Sequence, residues 1–210
     1  MNTIYRNLNI IVVLAIILTS CTKEEVQIQP EQQLNKGSIS FGSILSNLRN
    51  SENSKLIDIS QLEIPDCKPN RPLIMRVALK DSKGSWVHLK NSEDHFIDIK
   101  IKQAGVDTNN DGELDSWFAQ ESDQIELSVD TYTLEYFAVL DKSGVDAQVL
   151  YLTPRKSENY GAFAFQNFVK ESLPLDIPIR EGVKHYVPVE VLCYNRRFAE
   201  EFGYSSNSNQ

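Results

Sequence analysis

Catalytic equipment is scarce in this 210-residue chain. Its three histidines, His88, His95 and His185, are scattered. They form no H-E-x-x-H pair, and no Cys/His cluster has zinc spacing. There is no G-x-S-x-G nucleophile elbow and no glycine-rich loop to cradle phosphate. Glu200 and Glu201 are adjacent, so on a helix they face apart and read as solvated surface. A hydrolase would have to rely on dispersed carboxylates alone, and the expectation is a protein without enzymatic activity. Basic charge is also short. Lys and Arg number 21 against 29 Asp and Glu, a formal net charge of −8. Nucleic-acid affinity rests largely on Lys and Arg against phosphates, so no nucleic-acid partner is expected. Electrostatic adhesion to anionic lipid is disfavoured for the same reason. A bilayer-spanning helix needs about 20 apolar residues, and residues 10–18 supply nine.

That short apolar run nevertheless decides where the chain goes. Ile10-Ile11-Val12-Val13-Leu14-Ala15-Ile16-Ile17-Leu18 follows a start carrying one cation, Arg6, and runs into Thr19-Ser20-Cys21. This is the h-region of a secretory signal. A Cys just after small residues resembles the lipobox of bacterial lipoproteins. The resemblance implies loss of residues 1–20 and diacylation of Cys21; the other reading is an ordinary signal peptide with a Cys at its cleavage site. Losing Arg6 takes the formal charge from −8 to −9. Membrane attachment then rests on acyl chains, at about 0.8 kcal/mol per buried CH₂, so two hold far better than one. Thr22-Lys23-Glu24-Glu25 is similar to the charged segment after the lipid Cys in surface-exposed lipoproteins of the Bacteroidota. It favours the exterior face of the outer membrane over the periplasmic face. Residues 21–36, rich in Gln and containing Pro30, read as a disordered tether. From Thr22 to Lys36 it reaches at most about 50 Å.

Residues 37–204 read as one domain, with 205–210 a disordered tail. The period here is two. Residues 38–45 are the first expected strand, 46–55 a polar loop, and 56–64 a short strand or irregular. Over 73–80, Leu73, Met75, Val77 and Leu79 share a face. Asp81-Ser82-Lys83-Gly84 is a hairpin turn, with 86–90 as the return strand. Ile97, Ile99 and Ile101 alternate with charged residues, as do Ile125, Leu127 and Val129 with polar ones. Residues 132–140 are apolar on both faces, which predicts a central strand. Further strands are expected at 149–153, 175–179 and 186–194. Pro178 and Pro188 cannot donate to a ladder, so the late strands should lie at edges or carry bulges. Residues 196–203 read as a short helix stopped by Gly203. Residues 161–171 stay open between strand, helix and lid. Nine or ten strands with short turns predict an all-β, antiparallel β-sandwich. Cys67 and Cys193 either form a disulfide, closing a long loop in an oxidising compartment, or are two buried thiols.

A family resemblance rests on particular segments. Thr131-Tyr132-Thr133-Leu134-Glu135-Tyr136-Phe137-Ala138-Val139-Leu140-Asp141, followed by Leu150-Tyr151-Leu152-Thr153-Pro154, resembles a recurrent stretch of cell-envelope lipoproteins of the Bacteroidota. Val189-Glu190-Val191-Leu192-Cys193-Tyr194, Phe202-Gly203-Tyr204 and Ile64-Pro65-Asp66-Cys67 are similar to the same group. The resemblance implies an immunoglobulin-like or prealbumin-like sandwich and an envelope address; it implies no catalytic residue.

Two local features point to ligands. Asp107-Thr108-Asn109-Asn110-Asp111-Gly112-Glu113-Leu114-Asp115 matches the D-x-[DN]-x-D-G start of a calcium loop. Ca²⁺ takes about six to eight hard oxygens. Asp107, Asn109, Asp111, the Glu113 carbonyl and Asp115 would supply them, and Gly112 permits the turn. Position twelve is Phe118, where an EF-hand carries Glu, and the flanks read as strands. The expectation is a structural calcium loop in a β-hairpin, with Glu121 or Asp123 as the missing carboxylate; the other reading is a metal-free Asn/Asp/Gly turn. Trp86 and Trp117 sit near expected turns. Exposed indoles there would stack on sugars; buried ones would pack in the core. Together these readings predict a surface-exposed outer-membrane lipoprotein with a structural or adhesive β-sandwich, contacting a cell-surface glycan or protein. The alternative is a glycan- or nutrient-binding lipoprotein beside an outer-membrane uptake system.

Overall fold

A computed structural model describes residues 35–46, 65–68, 70–89, 94–103, 105–158 and 164–205. The signal segment, Cys21, most of the tether, the 56–64 strand, Phe163 and the last five residues lie outside the described residues. The described chain is all-β. Its strands are β1 (Lys36–Leu45), β2 (Ile74–Lys80), β3 (Ile97–Lys100), β4 (Ser116–Phe118), β5 (Ile125–Ser128), β6 (Thr131–Leu140), β7 (Val149–Leu152), β8 (Leu175–Pro178) and β9 (Lys184–Cys193). Lys36, assigned above to the tether, already pairs with Ser128 in β5. Helical structure among the described residues is limited to single 3₁₀ turns at Glu121–Asp123, Phe165–Phe168 and Arg196–Phe198.

The strand order is β3-β2-β6-β7-β9-β1-β4, with β5 also on β1 and β8 also on β6. One pairing corrects the antiparallel expectation. β1 and β9 run parallel, from Ser38 opposite Lys184 to Leu45 opposite Val191. Parallel neighbours need a long crossover. Here the first and last strands pair, so the rest of the domain is that crossover. The sheet is therefore mixed.

The sheet also curls on itself. Phe41 on β1 and Phe137 on β6 are three strands apart, about 14 Å if the sheet were flat. Their ring centroids lie 5.9 Å apart. The two ends of the strand order meet as well: Ile101 lies opposite Ala119. Lys102 N donates to Phe118 O at 2.8 Å and Gln120 N to Lys100 O at 2.8 Å. This contact covers edges that would otherwise invite pairing with another chain. Inside the curl Ile39, Phe41, Met75, Val77, Leu79, Phe137 and Val139 form one buried core. Leu73, expected on that face, lies just before β2 and is exposed.

β6 is buried on both faces, and a bulge sets which of its side chains share a face. Ala78 pairs with Tyr136, and Leu79 with Leu134, leaving Glu135 as the extra residue. The bulge turns Tyr132 and Leu134 inward on the same side as Phe137 and Val139. Tyr136, Ala138 and Leu140 face the other way, into a second cluster with Phe165, Phe168, Phe198 and Phe202. The expected 196–203 helix is a 3₁₀ turn followed by further turns. Asn195 caps it by accepting from Arg197 N. The open 161–171 segment resolves, in its described part, into the Phe165–Phe168 turn. The expected 86–90 return strand is reduced to one bridge, Trp86 opposite Lys80. Pro178 ends β8, which pairs only with β6.

Cys67 and Cys193 are joined in a disulfide, with Cα atoms 4.9 Å apart and a separation of 126 positions in sequence. The reading as two free thiols falls away. Closing a loop of that length contributes about 5 kcal/mol in the chain-entropy treatment.

Candidate functional site

The outer face of β2 and β6 carries a cleft, and local chemistry builds each wall. After β2, Asp81 Oδ1 accepts from Lys83 N and Ser85 N, closing a turn. Gly84 takes φ +82° there. The turn brings Trp86 back across Lys80, whose Nζ lies 4.5 Å from the indole centroid. Trp86 is 38% exposed. Its ring lies 4.5 Å from His95, His95 lies 4.3 Å from Phe96, and Phe96 meets Tyr136 edge-on at 5.2 Å. Arg76 fixes the Phe96 end. It sits opposite Asp98 in the β2–β3 ladder and binds that carboxylate through two nitrogens, at 2.6 and 2.8 Å.

Glu135 is the residue displaced by the bulge, and its side chain enters the cleft wall. Oε2 accepts from Arg155 at 2.8 Å and Oε1 lies 3.3 Å from Lys80 Nζ. Arg155 also donates to the Glu135 backbone carbonyl. Burial pushes the Glu135 carboxyl up, but the hydrogen bonds and charges of Arg155 and Lys80 outweigh it and hold the group below the usual carboxylate range. Arg155 stands 5.8 Å from the Tyr204 ring centroid. Gly203, at φ +81°, lets the chain pass there: a Cβ would sit 2.7 Å from Arg155 O. The cleft holds about 290 Å³, walled by Trp86, His95, Phe96, Tyr136, Tyr204 and the Glu135–Arg155 pair over Ala78.

A second cavity of about 240 Å³ adjoins it across Tyr136 and Tyr204. Lys68, Tyr194 and Arg196 line its far side. Tyr204 OH donates to Thr153 O at 3.0 Å. Burial pushes the Tyr136, Tyr194 and Tyr204 phenols up, so all three stay protonated and can donate.

The expected ligand residues are placed differently. Trp86 is at the mouth of the cleft. Trp117 is 5% exposed, faces inward from β4 and stacks on Tyr151 at 5.2 Å. Of its two readings, packing in the core is the one that describes Trp117: β4 pairs with β1 in a register that sets it opposite Ser43, whose buried side faces the core.

The 107–115 loop is a short hairpin whose ends pair Val106 with Ser116. Its oxygens accept from its own backbone. Asp107 takes Asn110 N at 2.7 Å and Gly112 N at 2.9 Å. Asn109 takes Asp111 N, and Asp111 takes Glu113 N, both at 2.9 Å. Asp115 binds the Thr108 hydroxyl at 2.6 Å. Asn110 at φ +60° and Gly112 at φ +91° make the turn. Glu121 and Asp123, the two candidates for the missing carboxylate, make contacts with β3 and the residues after it. Glu121 lies 3.7 Å from Lys102 Nζ, and Asp123 accepts from Lys100 N. Among the described residues no three His, Cys, Asp or Glu side chains gather as a metal site.

The residues missed in the sequence are Glu135, Arg155, His95, Phe96, Tyr136 and Tyr204. The bulge at Glu135 left no local mark, because residues 132–140 read as apolar on both faces.

No protein-family model matches the sequence, and no curated protein matches it. A leucine-rich repeat protein from Bacteroides thetaiotaomicron is similar in structure at a TM-score of 0.40 and 11% identity. The match covers 78% of this chain and 15% of that one, so the chain spans only a small part of that protein's length. A likeness this distant carries nothing about activity.

Proposed function

We propose that the chain is a lipid-anchored protein of the outer membrane, acylated at Cys21 and facing the exterior, whose β head is a non-enzymatic adhesive module. A single observation carries the binding part of this reading. Trp86, an exposed indole, opens an aromatic-walled cleft that also contains a hydrogen-bonded Glu135–Arg155–Lys80 group. Sugar rings present apolar C–H faces to aromatic platforms and hydroxyls to charged hydrogen-bonding groups. The same observation favours the second reading, a glycan-binding lipoprotein serving an outer-membrane uptake system. Both assign the cleft to a glycan. They differ in what the held glycan is for.

Two structural details belong to this reading. The curled sheet is proposed as an immunoglobulin-like or prealbumin-like sandwich, supported by the Phe41–Phe137 contact across its interior. Ca²⁺ is proposed to stiffen the 107–115 hairpin, supported by the ligand spacing and by the positive φ of Asn110 and Gly112. The test of function is a glycan array probed with the protein and with Trp86→Ala. Glycan binding that disappears in the variant supports the cleft. No glycan bound by either protein leaves a structural role and rejects the glycan assignment. Mass spectrometry of the amino terminus tests the anchor: an intact Met1 on a soluble species would reject it.

A further inference from the structure

The two adjoining cavities differ in charge, and the difference identifies the ligand more closely. In the Trp86 cleft a carboxylate, Glu135, is clamped between two cations. The second cavity is lined, among the described residues, by Lys68 and Arg196 and by no Asp or Glu. Lys68 Nζ donates to Val149 O at 2.8 Å, which leaves two of its protons for a ligand. Among the described residues neither Lys68 nor Arg196 is in an ion pair. Burial pushes the Lys68 ammonium down, and the charge of Asp141, which forms no ion pair with it, acts in the opposite direction.

Arg196 is exposed and Lys68 half-buried, but the backbone that carries them is tied down. Lys68 follows Cys67, and Tyr194 and Arg196 follow Cys193, so the disulfide ties both cation-bearing walls together. Phenol donors from Tyr136 and Tyr194 complete the lining. A cavity with cations, hydroxyl donors and no acid selects an anion, all the more in a chain of net charge −8.

The geometry points to an acidic oligosaccharide as the ligand: a sugar ring packs against the exposed part of Trp86 and the aromatic wall beside it, and a carboxylate or sulfate carried further along the oligosaccharide binds Lys68 and Arg196 beyond the Tyr136–Tyr204 wall. This rests on the glycan assignment made above. Binding is reversible and forms no covalent bond.

Calorimetry on the full-length protein in detergent tests it with three probes: tetragalacturonate, a κ-carrageenan tetrasaccharide, which carries sulfate and no carboxylate, and cellotetraose. The expected result is that one acidic probe binds at least about tenfold more tightly than cellotetraose, with an affinity that falls as salt is raised. Carboxylate and sulfate are told apart by which acidic probe binds. Arg196→Glu should weaken the acidic probe at least about tenfold more than it weakens cellotetraose, while Trp86→Ala weakens every probe. Arg196→Gln, which keeps the side chain's length and polarity, should give a smaller loss in the same direction. Equal binding of neutral and acidic probes, or acidic binding indifferent to Arg196→Glu, overturns the charge assignment and leaves the cleft standing. No binding of any probe overturns the cleft as well.

Discussion

Two regions of this protein each present one tryptophan, and their sequences are alike. Ser85-Trp86-Val87 and Ser116-Trp117-Phe118 both follow a turn containing Asp and Gly. The outcomes are opposite. Trp117 enters β4, pairs with β1 and is sealed against Tyr151. Trp86 makes a single bridge to Lys80 and stays at the rim of a cleft, between a cation and His95. The difference lies in what each segment meets. β4 finds an open side of β1 over the core, whereas after Trp86 the described chain keeps one more backbone bond to β2, Val87 N to Leu79 O at 2.9 Å. One indole is a packing element and the other stays partly exposed.

Substitutions can break or sharpen that comparison. Trp117→Ala should have the largest effect, a loss of about 3–5 kcal/mol in urea unfolding, because it empties an interior site. A loss under about 1 kcal/mol would mean that Trp117 is not sealed. The disulfide comes next. Cys67→Ser with Cys193→Ser should cost about 2–5 kcal/mol and lower the melting temperature, and it should weaken any acidic ligand more than a neutral one. Glu135→Gln should cost about 1–2 kcal/mol by loosening Arg155 and Lys80.

The sign of the pH effect follows from the lowered Glu135 carboxyl. Its stabilisation is present above the unfolded value, about 4.3, and is lost as pH falls through the lower folded value. Urea midpoints taken across the acid range should therefore fall more in the parent than in Glu135→Gln; parallel curves would remove Glu135 from this role. The smallest stability effect belongs to Trp86→Ala, within about 0.5 kcal/mol as for other surface positions. Its signature is lost ligand binding with an unchanged melting temperature. A large destabilisation would place Trp86 with Trp117 and end the contrast between them.

Much of the fold was legible in the residues. Ile97 and Ile99 alternate with Asp98 and Lys100, and that alternation is β3. The apolar run from Tyr132 to Leu140 required a strand covered on both faces, and β6 has core on both sides. The parallel β1–β9 pair was not legible, because nothing local distinguishes a parallel neighbour when the partners are the first and last strands. The cleft was barely legible. Glu135, Arg155, His95 and Tyr204 are spread over more than 100 residues, and each reads alone as an ordinary polar or aromatic position.

By itself the amino-acid order determined which segments extend, where turns fall and which faces are apolar, since these follow from side-chain alternation and from Gly, Asn, Asp and Pro over a few neighbours. Only the tertiary structure decided which strands pair, which indole is covered and which charges share a cavity. Those outcomes depend on contacts between residues far apart in the chain, and a one-residue bulge at Glu135 is enough to redirect them.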